Sequence, residues 1–181
     1  MGYWNAGWAP LTRIFLTGFI LVITTACTLF TDPASPTGGA SGILVVSRFA
    51  DVQRVGEKAK PLGSYALGRD QTFTLSFIHS VSLTRVKDIY QIRGGKILQT
   101  QEIFQAHGAG LPTSPEEPFA TAFEKTKEGF VLHMERPIKT LVVRTDKRYE
   151  NRLSLAGITV DLNQWEDQGL LIQFYPNPKR P

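Results

Sequence analysis

Residues 72–112 read TFTLSFIHSVSLTRVKDIYQIRGGKILQTQEIFQAHGAGLP, and this stretch decides the fold. Its first part, residues 72–79, alternates: Phe73, Leu75 and Phe77 share a face with His79, while Thr72, Thr74 and Ser76 share the other. A period of two is the pattern of a half-buried β-strand. Residues 86–92 alternate again and set Val86, Asp88, Tyr90 and Ile92 on one face. An acid among apolar and aromatic neighbours is the anomaly of that face. Gly94-Gly95 then supplies two residues that tolerate positive φ, as a tight hairpin turn requires. In residues 96–107 the same alternation puts Ile97, Gln99, Gln101, Ile103 and His107 inward and leaves Leu98 and Phe104 outside. A bulge would reverse the second half.

The simplest hairpin register pairs Phe77 with Asp88 and Leu75 with Tyr90. His79 then faces Val86 and lies diagonal to Asp88, roughly 7–8 Å away between backbones. A carboxylate beside an imidazole fixes its tautomer and raises its basicity, which serves a general base or a metal ligand. The same two groups also read as a buried polar pair that satisfies itself. With His107 the set has two histidines and one acid, the minimum for a catalytic zinc, although the spacing matches no local metal motif. No cofactor is expected, and a divalent metal stays open. Ser80 points away from His79 and no G-x-S-x-G elbow exists, which argues against a serine hydrolase. Gly108 and Gly110, in Gly108-Ala109-Gly110, either present amides to an anion or form a tight turn. They follow no Rossmann-like strand and open no helix, which argues against nucleotide binding.

These residues carry a resemblance. The His79-Ser80-Val81 triplet, the Val86-x-Asp88-x-Tyr90 strand and the Gly108-Ala109-Gly110-Leu111-Pro112 turn are similar to an uncharacterised bacterial family of small exported proteins. Its members are often encoded beside, or joined to, TRAP-type tripartite solute transporters of the TAXI class. The resemblance spans about residues 45–174. Relatives tend to carry Glu where this chain has Asp88, which keeps the charge but reaches less far. The resemblance implies a setting, beside a TRAP-type permease or its solute receptor, and no reaction.

Outward from this block, the 181-residue chain reads as a leader plus one domain. Arg13 precedes an apolar run, residues 14–23, of signal-peptide length; residues 11–30 together reach the length of a membrane anchor. Residues 1–26 are thus a lipoprotein-type signal peptide or an anchor. Cys27, the single cysteine, follows small residues and resembles a lipidation site, with Thr24 where Leu is preferred. It ties the chain to membrane lipid, and an exported domain without other cysteines relies on its core alone. Residues 27–42 form a flexible linker rich in Pro, Gly and Ser, and residues 177–181 are a tail.

Residues 43–176 carry the other strand patterns, at 43–49, 119–123, 129–135, 138–144, 158–162 and 170–175, with Phe130, Leu132 and Met134 facing in and His133 out. Many short strands between glycine and proline turns predict an all-β antiparallel sandwich of about nine strands. The net charge is modest, +4 overall and +3 once Arg13 leaves with the leader. The bases are uneven, however. Arg144, Lys147, Arg148 and Arg152 crowd one region with Asp146 and Glu150 as the opposing charges, which reads either as a contact for an anionic surface or as a solvated strand face. No nucleic-acid module is recognisable. The expected protein is an exported, membrane-tethered, non-enzymatic accessory facing the periplasm or exterior. Its alternatives are a metal-dependent or acid–base enzyme on His79, Asp88 and His107, and a structural envelope lipoprotein.

Overall fold

The computed structural model describes residues 42–106, 110–166 and 168–176. Two antiparallel sheets face each other. The shorter one is built from β1 (Gly42–Arg48), β2 (Gly63–Ala66), β8 (Leu141–Arg144) and β11 (Gly169–Pro176), in the order β2-β1-β11-β8. The longer one has β3 (Thr72–Ile78), β4 (Arg85–Arg93), β5 (Lys96–Phe104), β6 (Ala120–Thr126), β7 (Gly129–Ile138), β9 (Arg152–Leu155) and β10 (Ile158–Asp161), in the order β10-β9-β3-β4-β5-β7-β6. One helix, α1 (Phe49–Val55), follows β1. The sandwich expected from the alternation is present, with eleven strands among the described residues rather than about nine. The two extra strands, β2 and β9, are four residues each, too short to show a period on their own.

Alternation sets the core. Leu44, Val46, Leu170 and Ile172 of the short sheet pack with Phe73, Leu75, Tyr90, Leu153 and Leu155 of the long one. The ring of Phe73 stacks on Tyr90, with centroids 5.0 Å apart. A second, smaller cluster lies under the far part of the long sheet, where Val86, Phe104 and Leu111 meet Phe77, Phe123 and Phe130. Between the two apolar clusters the inner face of the long sheet turns polar, and this break positions the site.

The two-residue turns follow the residues that make them. Gly94 and Gly95 both have positive φ (56° and 74°) between the paired residues Arg93 and Lys96. Ala156 and Gly157 repeat the device between β9 and β10, at φ 46° and 80°. Positive φ at both central residues is the twist that closes a two-residue hairpin. Among the described residues no helix is long and apolar enough to cross a membrane. The leader, Cys27 and the tail lie outside the described residues.

Candidate functional site

The site starts from a bulge in β5. Along β4 and β5, Asp88 pairs with Glu102 and Ile89 with Gln101, but Tyr90 pairs with Gln99. Thr100 is the extra residue, and its hydroxyl donates to the Ile89 carbonyl (3.2 Å). One inserted residue moves the rest of the strand to the opposite face. Gln99 and Glu102 therefore both look inward, and Phe104 is driven into the second core cluster with no exposure. Gln101 and Ile103, inward by simple alternation, are displaced to the outer side.

Asp88, Tyr90, Gln99 and Glu102 thus gather on the inner face of the long sheet. Arg136 joins them from β7, where it pairs with Gln99. The Gln99 amide donates to Asp88 Oδ1 (3.1 Å), and Arg136 donates to Gln99 Oε1 (3.3 Å). The Tyr90 hydroxyl donates to the Asp88 carboxylate as well. Burial pushes the Asp88 carboxyl up to about 7 and the Glu102 charge adds to the rise; Arg136, Gln99 and Tyr90 oppose it. Glu102 is raised by burial and by Glu117, against the pull of Arg136. Burial, and next the Asp88 charge, raise the Tyr90 hydroxyl. Two acids thus share one guanidinium inside the sandwich.

Asp88 keeps a window to the outside through a pocket of about 270 Å³ between the sheets. Leu75, Phe77 and Tyr90 wall it from the long sheet, Leu141 and Val143 from β8, and Tyr149 and Asn151 from the following loop. That loop is braced by its own polar bonds. Asn151 Oδ1 accepts from the Asp146 amide (2.9 Å), and Asn163 Oδ1 accepts from the Asn151 amide (2.7 Å). Apolar walls with a few convergent polar groups and a displaced carboxyl are the usual signature of a small-molecule site. Two larger hollows, about 670 Å³ beneath α1 and about 700 Å³ between β7 and β11, have no carboxyl in their lining among the described residues.

The structure corrects the hairpin register. Leu75 pairs with Asp88 and Phe77 with Val86, and the His79 amide donates to the Thr84 carbonyl (2.9 Å). His79 and Asp88 are separated by four residues along the hairpin, roughly 13 Å at strand rise, and do not form a pair. His79 instead closes the turn. Its Nδ1 accepts from the amides of Val81 (3.3 Å) and Ser82 (3.2 Å), and its carbonyl accepts from Leu83, which takes φ 53°. A histidine that caps its own loop lets the strands stay paired two residues further than expected. A double-mutant cycle over His79→Ala and Asp88→Asn is expected to be additive within about 0.5 kcal/mol in denaturant unfolding, as for separated sites. A coupling above 1 kcal/mol would restore the pair.

His107 and Gly108 lie outside the described residues. Gly110 is exposed, at φ 86°, next to Leu111 of the second core cluster rather than at the pocket. Among the described residues no three His, Cys, Asp or Glu side chains are grouped to hold a metal ion. The basic region divides. Arg148 pairs with Asp146, and Arg152 (3.0 Å) and Arg85 both pair with Glu150. Lys147 and Arg152 border a separate hollow of about 290 Å³ with Glu150 and Asp161. Arg144 stands at the rim of the Asp88 pocket, on the edge strand β8. Glu102, Arg136, Tyr149 and Asn151 were not legible as site residues. The one signal that pointed to them was the misplaced acid, Asp88.

The fold and this geometry define a two-sheet β-domain with a half-buried carboxyl at the floor of an inter-sheet pocket. Residues 73–162 match the family model described as Domain of unknown function (DUF1850). The matched span contains the β3–β4–β5 meander and the pocket residues named above, and it leaves out β1, β2 and β11. Among curated proteins and solved structures, nothing matches.

Proposed function

We propose that this chain is a non-enzymatic binding module, held by its leader on the outer side of the cytoplasmic membrane, that serves TAXI-type TRAP solute uptake by taking the solute into the pocket above Asp88. The observation that supports this reading is the pocket itself: a displaced carboxyl, apolar walls and an opening of small-molecule size. The setting comes from the sequence resemblance. The acid–base or metal alternative loses its central pair, because His79 is committed to its own turn.

Filling the pocket tests the reading. In cells that depend on the cognate transporter, Val143→Trp is expected to reduce solute uptake at least tenfold while the protein remains folded and membrane-associated. Unchanged uptake with the pocket filled would leave the chain as a structural envelope lipoprotein or as a partner-docking accessory. The tether has its own test. Intact-mass analysis of the membrane-bound protein is expected to give a chain that begins at a lipid-modified Cys27. A chain that begins at Met1 would replace the lipid tether with an anchor helix.

A further inference from the structure

The pocket also carries a statement about the chemistry of its occupant, which rests on its reading as a solute site. We propose that it selects a small organic monocation: a protonated primary amine on an apolar body, with the ammonium on Asp88 and the body against Leu75, Phe77 and Val143.

The charges argue for this class. Among the described residues Asp88 is the one carboxylate that lines the pocket, and its cross-strand neighbour Glu102 stands behind it. Arg136 is the cation shared by both acids, so with both ionised the floor carries one uncompensated negative charge. The Asp88 carboxylate offers about four acceptor directions, and Gln99 and Tyr90 use two. An ammonium has three donors and fits the remainder. An anion placed there would meet Asp88 and Glu102, and a neutral body would leave the floor charge unanswered.

The walls agree. Phe77 and Tyr149 bring aromatic rings to the pocket, and such rings favour an organic cation at close range. Arg144 and Arg148 lie near the rim, but neither opposes a buried cation strongly. Val143 faces inward, so its neighbour Arg144 takes the other face of the strand and is exposed. Arg148 is exposed, sits over the Tyr149 ring (5.3 Å to its centroid) and is paired with Asp146. The volume, about 270 Å³, equals roughly nine waters of liquid, enough for a body of benzylamine size. The described residues group no three metal ligands, so the geometry favours an organic cation over a divalent metal.

The test titrates the full-length protein in detergent with benzylamine, benzyl alcohol and benzoate by calorimetry, at pH 6 and pH 8. Benzylamine is expected to bind at least tenfold more tightly than the other two. Its affinity should rise about tenfold from pH 6 to pH 8 as Asp88 ionises beside Glu102, Arg136, Gln99, Tyr90 and Tyr149. Asp88→Asn should bring the amine down to the level of the alcohol. The wild-type comparison decides the matter even if that variant folds poorly. Equal binding of alcohol or benzoate that Val143→Trp abolishes overturns the cation but keeps the solute site. Absence of binding by all three overturns the cation, and intact uptake by Val143→Trp overturns the site as well.

Discussion

Asp88→Asn is expected to remove most of the pH dependence of stability between about pH 4 and pH 7 and to make the protein more stable than the native chain at pH 8. The sign follows from the direction of the displacement. In the unfolded chain the carboxyl loses its proton near 3.8, whereas the folded protein keeps it up to about 7. The folded state therefore holds more protons within that window. Stability is fully present below the lower value and is lost as pH rises through the upper one. Moving one carboxyl from 3.8 to about 7 corresponds to a change on the order of 4 kcal/mol across the window. Asparagine keeps the acceptor for Gln99 and has no charge to bury.

The neighbours set the limits of this expectation. Glu102 is displaced in the same direction, so a residual slope should remain in the variant. Asp146 is held down to about 2 by Arg148, so its contribution is lost only as pH falls below the ordinary carboxylate range, outside the window. Tyr90, raised by burial, affects only the alkaline limb. Urea unfolding of both proteins at pH 4.5, 6 and 8 gives the comparison. Equal destabilisation of the variant at all three would show that Asp88 is ionised throughout and held by Arg136, Gln99 and Tyr90.

The second large effect is expected in the smaller core. Phe104→Ala should cost about 3–5 kcal/mol, because the ring is fully buried and the cavity it leaves has stiff walls. Phe130 lies 5.4 Å and Phe123 6.4 Å from it, centroid to centroid. These rings come from β7 and β6, the last two strands at one edge of the long sheet. Phe104 also shares its face with Glu102, two residues earlier, so the loss should loosen the carboxyl that stands behind Asp88. Denaturant unfolding with the slope monitored is the measurement. A loss under 1 kcal/mol would mean that the far end of the sheet is not cooperative with the main core.

Both expectations rest on a side chain whose direction simple alternation gave only in part. Phe73, Leu75, Phe77, Val86, Tyr90 and Ile92 were assigned to the inner face from the period alone, and they lie there, because successive side chains in a strand point to opposite sides. Ile97 and Gln99 followed the same rule. The rule failed at Thr100, where one extra residue turned Glu102 and Phe104 inward. Nothing local forbids or demands that insertion. It is decided by the partners, β4 and β7, whose Val86 and Phe130 give Phe104 an apolar place to go.

The histidine shows the same division. Its place at the end of a strand is a local property and was legible. Its partner was not, since two registers keep the same faces inward and differ only in where the loop closes. The Nδ1 bonds to Val81 and Ser82 choose between them by stabilising a tighter turn.

By itself, then, the sequence determined nine of the eleven strands, the inner faces of β3, β4 and the first half of β5, the Gly94-Gly95 turn and the oddity of a carboxyl at position 88, because each depends on a residue and its near neighbours. Tertiary structure decided what that carboxyl meets. The bulge in β5, the approach of Arg136 from β7 and the pocket wall lent by β8 and the loop after it join residues up to 76 positions apart in the chain, from Leu75 to Asn151. Their meeting is set by packing two sheets together, a free energy of the whole core rather than of any segment.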